Sequence, residues 1–220
     1  MNTDIIVSYF PRYVDAFWLT IRIGAIGVGL AFVIGLVVAF LIHFKIPVLA
    51  QLAAVYVEFF RNTPLLVQLF FIYFGLPKLG FMVPAETCGA LGLGLLGGSY
   101  MAEGFRSGLG AVSKSQSEGA LALGMTRGQM FFHVIFPEAF ALSVPAIVAN
   151  VIFLLKETSV FSAISLMDLM FTAKDLIGLY YNTTEAFALL IFFYIIMLLP
   201  VSIVGGIVEK KVRYKMFGAQ

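Results

Sequence analysis

The sequence predicts an all-α integral membrane protein with about five transmembrane helices, and three observations carry that prediction. Hydrophobic residues make up 61% of the chain and charged residues 12%, with a mean hydropathy of +1.00, outside the range of a soluble domain. Apolar stretches of ~20 residues, the length that crosses ~30 Å of hydrocarbon, recur along the chain. Its 220 residues leave room for about five of them plus loops, as one membrane domain over residues 1–220.

In chain order, residues 1–16 are mixed in character and carry Asp4, Arg12 and Asp15. They lack the basic start, short apolar core and cleavage site of a signal peptide, and are expected to stay on the mature chain. The first span is residues 17–42, with Arg22 near one end and Gly24, Gly27, Gly29 and Gly35 permitting close helix contact. A polar turn around Pro47 leads to the second span, residues 52–74, interrupted by Glu58, Arg61 and Pro64. The third, residues 85–105, is rich in glycine (Gly89, Gly92, Gly94, Gly97, Gly98). The fourth, residues 139–161, contains Pro145, Asn150, Lys156 and Glu157. Residues 162–185 read as a loop with a short interfacial helix at about 166–177. Residues 186–208 form the fifth span, ahead of a basic tail.

Between the third and fourth spans lies a polar, glycine-punctuated island. Ser115 and Glu118 fit a capping box opening a short helix, and Gly124 suits the left-handed residue that ends one. Thr126-x-x-Gln129 offers a second capped start, and Pro137 is expected to break that second helix before the next span. Lys45, Arg106, Lys114, Arg127, Lys210, Lys211, Arg213 and Lys215 fall on the island's side of the membrane, against Arg12, Lys78 and Lys174 on the other. That bias predicts a cytoplasmic island, an external N-terminus and a cytoplasmic C-terminus.

Ionisable residues inside spans are functional candidates, because each is costly in hydrocarbon unless it faces protein, water or a partner. Glu58 and Arg61 share a helix face and can pair, while Pro64 frees the carbonyl of Phe60. A helix broken near the midplane is a common way to build a solute site. Glu103, Lys156 and Glu157 fit either a polar cavity or interhelical pairs that orient the bundle. Cys88, the only cysteine, reads as a small apolar residue, and His43 and His133 as polar loop residues. No metal site, G-x-x-x-x-G-K-[ST], H-E-x-x-H or G-x-S-x-G pattern occurs, so ATP chemistry belongs to another subunit. No basic run interleaved with aromatics points to nucleic acid.

Glu118, Ala120, Gly124, Ile135 and Pro137 resemble the EAA loop of ABC-importer permeases, with Gly119 departing where that family usually has Ala. The segment Glu58-Phe-Phe-Arg61-Asn62-Thr63-Pro64-Leu65-Leu66-Val67-Gln68 is similar to the E-x-x-R-x-T-P-L-L-x-Q motif of polar-amino-acid permeases. Ser99-Tyr100-Met101-Ala102-Glu103-Gly104-Phe105-Arg106-Ser107-Gly108 and Lys156-Glu157-Thr158-Ser159-Val160 resemble two further motifs of that subfamily, which carries histidine, glutamine, arginine or glutamate.

The resemblance implies a type I importer permease working by alternating access in the cytoplasmic (inner) membrane. It implies a coupling loop at about residues 107–137, with Glu118, Gly119, Ala120, Gly124, Arg127 and Pro137 as the ATPase-coupling residues. Substrate contacts would come from Glu58, Arg61, Gln68, Glu103, Lys156, Glu157 and Ser159. The chain would bind no cofactor itself, ATP and Mg sitting on two partner ATPase subunits. Further expected partners are a second permease chain, identical or similar, an extracytoplasmic solute-binding protein, the amino acid and membrane lipid, with no nucleic acid. The alternatives are a same-type permease for methionine or an organic anion, and an ion-gradient-driven secondary transporter or channel.

Overall fold

The structure, a computed structural model, describes residues 3–218, and every regular element among them is helical. Residues 1, 2, 219 and 220, and the Arg213 side chain counted above, lie outside the described residues. Helix α1 spans Thr3–His43, α2 Leu49–Arg61, α3 Leu65–Phe70 and α4 Ala85–Ala111. The island forms α5 (Lys114–Ala122) and α6 (Arg127–Met130), followed by α7 (Phe136–Glu157), α8 (Leu169–Tyr180) and α9 (Thr183–Phe217).

Three helical stretches are long and apolar enough to cross a membrane: Asp4–His43, Arg127–Ile164 and Thr183–Val212. Leu49–Arg61 and Leu65–Leu79, bent by 104°, add a fourth when taken as one broken span. Helix α4 is too rich in glycine and charge to qualify by composition. It has little need to, since α1 and α7 pack along it and α2 and α3 lie against it, leaving its glycines buried rather than facing lipid. Two of those glycines are required by close approach. A Cβ on Gly97 would stand 2.6 Å from that of Ala31, and one on Gly98 would stand 2.6 Å from both Ile34 Cγ2 and the Tyr56 hydroxyl.

Contacts fix the directions of the long helices. Ile23 meets Gly89, Leu30 meets Gly94 and Ile34 meets Gly98, so α1 and α4 run parallel. Leu154 meets Gly97 and Ala146 meets Gly104, so α7 runs antiparallel to α4. Helix α9 reverses again, with Tyr194 near Thr158 and Gly205 near Val148. The C-terminal ends of α1, α4 and α9 therefore lie at the island's end of the bundle, where Lys45, Lys114, Arg127, Lys210 and Lys211 also gather. The rings of His43, Phe44 and Phe40 pack edge-on or tilted against Phe131, tying the end of α1 to the chain just after the island.

Two expectations are corrected and a third shifts. Pro137 does not break the helix: a π turn at Phe131–Ile135, closed by the Phe136 N–H on the Phe131 carbonyl, joins α6 to α7. Pro137 then falls in the first turn of α7, directly after the π turn, whose widened i→i+5 register accommodates the proline within a continuing helix. Residues 4–16 do not precede the first span but form the first turns of α1, and the short helix expected at about residues 166–177 is present as α8, shifted three residues along. Tyr9, Tyr13 and Ala16 recur on one face of α1, and Leu169, Ala173 and Leu176 on one face of α8. Both stripes bury against the start of α9 as a second core, separate from the one around α4.

Candidate functional site

The break in the second span lies at residues 62–64, where Pro64, in extended conformation, opens α3. A helix stopped there leaves carbonyls without amide partners, and side chains from the break itself supply the donors. Asn62 Nδ2 donates to the Glu58 carbonyl (2.7 Å) and Thr63 Oγ1 to the Phe59 carbonyl (2.9 Å). The carbonyl of Phe60, expected to be freed by Pro64, accepts from Gln68 Nε2 at 3.2 Å. The same amide nitrogen reaches the Thr63 carbonyl (3.0 Å) and Thr63 Oγ1 (2.9 Å). Gln68 is buried, and its Oε1 has no partner among the described residues.

The expected Glu58–Arg61 pair does not form. Glu58 Oε2 instead accepts from Asn62 Nδ2 (3.2 Å), and Arg61 turns to α4, its Nη1 standing 3.8 Å from Glu103 Oε2. Competing partners are the physical reason: Asn62 takes the Glu58 carboxylate, while the Glu103 carboxylate and the Tyr100 ring of α4 draw Arg61 across. Arg106, one turn beyond Glu103, holds the other carboxylate oxygen in a close charged hydrogen bond. The Arg61 guanidinium lies 5.5 Å from the Tyr100 ring centroid, within cation–π range. Arg61 and Glu103 keep 38% and 34% of their side-chain surface accessible, so the pair is a half-open polar site and not a sealed one.

Neighbouring helices hold this stretch of α4 from both flanks. Tyr56 of α2 donates to the Leu95 carbonyl (2.6 Å), and Asn150 of α7 donates to the Tyr100 carbonyl (3.1 Å). Tyr100, Arg106 and Asn150 are therefore parts of the site beyond the residues picked from the sequence. Tyr100 and Arg106 lie one turn either side of Glu103, a helical-face signal that was legible. Asn150 had only its polarity inside an apolar span.

Lys156, Glu157 and Ser159 stand apart from that cluster. They follow Leu154, which packs on Gly97, and Gly97 precedes Glu103 by six residues, about 9 Å along a helix. Lys156 lines an open groove of about 510 Å³ with Tyr194 and Ser202 of α9. Glu157 is half-buried, and the backbone carbonyl of Ser159 accepts from Ser162 Oγ at 3.2 Å.

The island presents an exposed surface. Ser115 does not cap its helix as expected: α5 begins two residues earlier, after Ser113, and Ser115 Oγ bonds Ser113 Oγ at 2.6 Å. Ala120 is buried while Glu118 and Gly119 face outward, as do Leu121 and Leu123, the latter 84% exposed. Gly124 takes φ +78°. Its N–H bonds the Leu121 carbonyl (2.9 Å) and the Met125 N–H the Ala120 carbonyl (3.2 Å), the paired closure of a Schellman motif. Thr126 and Gln129 then form the reciprocal capping box at the start of α6, and Arg127 projects outward beside it.

Among residues that sequence reading missed is Asp168, which caps α8 by accepting from the Phe171 N–H at 2.9 Å. An Asp just before an apolar-periodic stretch is the signal that could have found it. It is fully buried between the spans, Oδ2 has no hydrogen-bond partner among the described residues, and burial pushes its carboxyl up to about 7. The capping N–H and Lys174 pull in the opposite direction and are outweighed.

The family described as "Binding-protein-dependent transport system inner membrane component" matches residues 27–214. Over 97% of its length the chain is 34% identical to the probable glutamine ABC transporter permease protein GlnM of Bacillus subtilis (strain 168), covering 99% of that protein. It is 31% identical to the arginine transport system permease protein ArtQ of the same organism, with the same coverage of both chains. In the crystal structure of an amino acid ABC transporter with histidines, one chain superposes with a TM-score of 0.89 at 31% identity, over 96% of this chain and 99% of that one. A chain of the inward-facing MetNI methionine ABC transporter shares the fold, with a TM-score of 0.77 at 22% identity over 91% of this chain and 95% of that one. With a broken second span, a charged cluster beside the break and an exposed helical island all on one type I importer bundle, the chain belongs to the family of inner membrane components of binding-protein-dependent transport systems, as an ABC transporter permease.

Proposed function

We propose that this permease moves polar amino acids across the inner membrane by ATP-driven alternating access, with Arg61 and Glu103 as solute contacts. The observation that carries the reading is their loose, half-open ion pair beside the helix break. A zwitterion leaving water gives up hydration worth several kcal/mol per ion, and it recovers this only where a cation and an anion are both offered. Arg61 can take the carboxylate and Glu103 the ammonium, with Arg106 left to hold Glu103 in place. Glu58, and further along the pathway Lys156, Glu157 and Ser159, are the remaining candidate contacts, while Gln68 has only its Oε1 to offer. Relatives named for glutamine and for arginine support this solute class.

Energy enters through the island in this reading. Two partner ATPase subunits, carrying ATP and Mg, would seat the exposed face of α5, with Leu121 and Leu123 as apolar contacts and Glu118 and Arg127 as charged ones. Gly119 gives that face no side chain, Ala120 anchors it to the bundle, Gly124 sets its exit, and Pro137 starts the rod that carries motion into α7. A second permease chain completes the pathway, and an extracytoplasmic protein delivers solute to the end of the bundle opposite the island. Reconstitution with the ATPase subunits in liposomes tests the whole reading. Uptake of labelled arginine or glutamine that requires ATP on the island side is expected. Uptake driven by an ion gradient without ATP would move the chain to a different transport class.

A further inference from the structure

We propose that Gln68 is a positioning residue: a clamp across the helix break that sets the angle between α2 and α3 and so holds Arg61 opposite Glu103. Of the side chains that cover the broken end, Asn62 and Thr63 belong to the break, and Gln68 alone reaches back from the second half-helix. Its amide nitrogen bridges the Phe60 carbonyl, one residue before Arg61, and the Thr63 carbonyl, one residue before Pro64. One side chain therefore joins the end of α2 to the start of α3, across a bend of 104°. The amide orientation follows from the network, because a flipped group would set its oxygen against two backbone carbonyls. Leu65 and Leu69, on either side of Gln68, are buried, and both pack at Gly92, so the α3 end of the clamp is itself fixed on α4.

Burying an acceptor without a partner carries a cost, and Gln68 Oε1 is such an acceptor. The side chain is thus held for its donors, which a solute-contact role through Oε1 does not require. The two roles separate on substitution. Gln68→Glu retains acceptors and gives up both amide donors, so a solute ligand for an ammonium would survive it while a clamp would not.

The transport consequence rests on the reading of Arg61 as a solute contact, whereas the clamp can be measured without solute. Spin labels at Val55 and Phe71, both exposed and on opposite sides of the break, report the angle by pulsed electron spin resonance in the assembled complex, with Cys88 replaced by Ala. The clamp predicts a single narrow distance with Gln68 present and a broadened or shifted one in Gln68→Met and Gln68→Glu. If Gln68→Met assembles poorly, Thr63→Val, which removes one of the three acceptors, should broaden the distribution to a lesser degree. An unchanged distribution in every variant that assembles overturns the clamp.

Uptake per assembled complex supplies the second readout. Gln68→Met, Gln68→Glu and Arg61→Met should each lose at least tenfold, and Gln68→Met with Arg61→Met together should lose little more than Arg61→Met alone, because a misplaced Arg61 has little left to contribute. Losses that multiply to a hundredfold or more, or near-native uptake in Gln68→Glu, overturn the positioning role. A broadened distribution alongside normal uptake by Arg61→Met upholds the clamp and removes Arg61 from the solute pathway instead.

Discussion

Arg61, the last residue of α2, stands 3.8 Å from Glu103 in the middle of α4, although Glu58 is its neighbour in sequence by three positions. Helical spacing alone pairs Glu58 with Arg61. Asn62 takes the Glu58 carboxylate and α4 offers Arg61 both a carboxylate and an aromatic face, so the local pair gives way to one between helices that ties the broken span to α4.

If Glu103 holds the solute ammonium, Glu103→Gln should lower uptake per assembled complex at least tenfold, or about 1.4 kcal/mol. The amount of assembled complex should stay normal, since Arg106 and Arg61 are each partly exposed and can be solvated once the carboxylate is gone. A poorly assembled complex whose surviving fraction transports at the native rate would make Glu103 a packing residue and remove it from the site.

Much of this arrangement was legible in the sequence because it rests on local chemistry. Pro64 marks the break, Gly124 the left-handed exit, and Thr126 with Gln129 the second cap, each through a rule acting over a few residues. What was not legible depends on which helices meet. The partner of Arg61 lies 42 positions away, Gln68 turns its amide back on the break, and the helix read at about residues 166–177 gave no sign that α1 and α9 would cover its apolar stripe. The break expected at Pro137 failed for a local reason of another kind: a π turn set ahead of a proline lets a helix run on where the ordinary repeat would stop.

Gly124 has open space where a Cβ would go, so its constraint is its positive φ and not crowding. Gly124→Val places a β-branched residue in a conformation it strongly resists, which should undo the Schellman closure and displace α5 from the ATPase seat proposed for it. Transport should be abolished and solute-stimulated ATP hydrolysis lost, with membrane insertion intact. Unchanged solute-stimulated hydrolysis in the variant would sink the coupling role of this turn.

Orientation can be read chemically. In a chain with Cys88 replaced, a cysteine at exposed Thr183, the first residue of α9, should react with a membrane-impermeant maleimide in intact cells. A cysteine at exposed Gln116 on α5 should react only after permeabilisation, as the clustering of lysine and arginine at the island's end requires. Labelling at position 116 from outside intact cells would invert the topology and overturn the proposed seating of α5 on the ATPase subunits.

The buried carboxyl of Asp168 makes the packing of α8 sensitive to pH. Its carboxyl is raised from an ordinary value of 3.8 to about 7, so in the interval between them the folded chain holds a proton that the unfolded chain releases. Stability should therefore fall as pH rises from about 4 to about 7, with a slope of up to roughly 1.4 kcal/mol per pH unit, and level off above. Asp168→Asn keeps an oxygen to accept the Phe171 N–H, preserving the cap, and removes the titrating group. Its melting temperature should exceed the native one at pH 7.5, and the gap should narrow as pH falls toward 5. Protection of α8 backbone amides from hydrogen exchange should follow the same course, since Asp168 caps that helix and Leu169, beside it, donates its N–H to Thr20 on α1. Parallel pH profiles for the native and Asp168→Asn chains would show that the carboxyl is solvated and does not control the docking of α8.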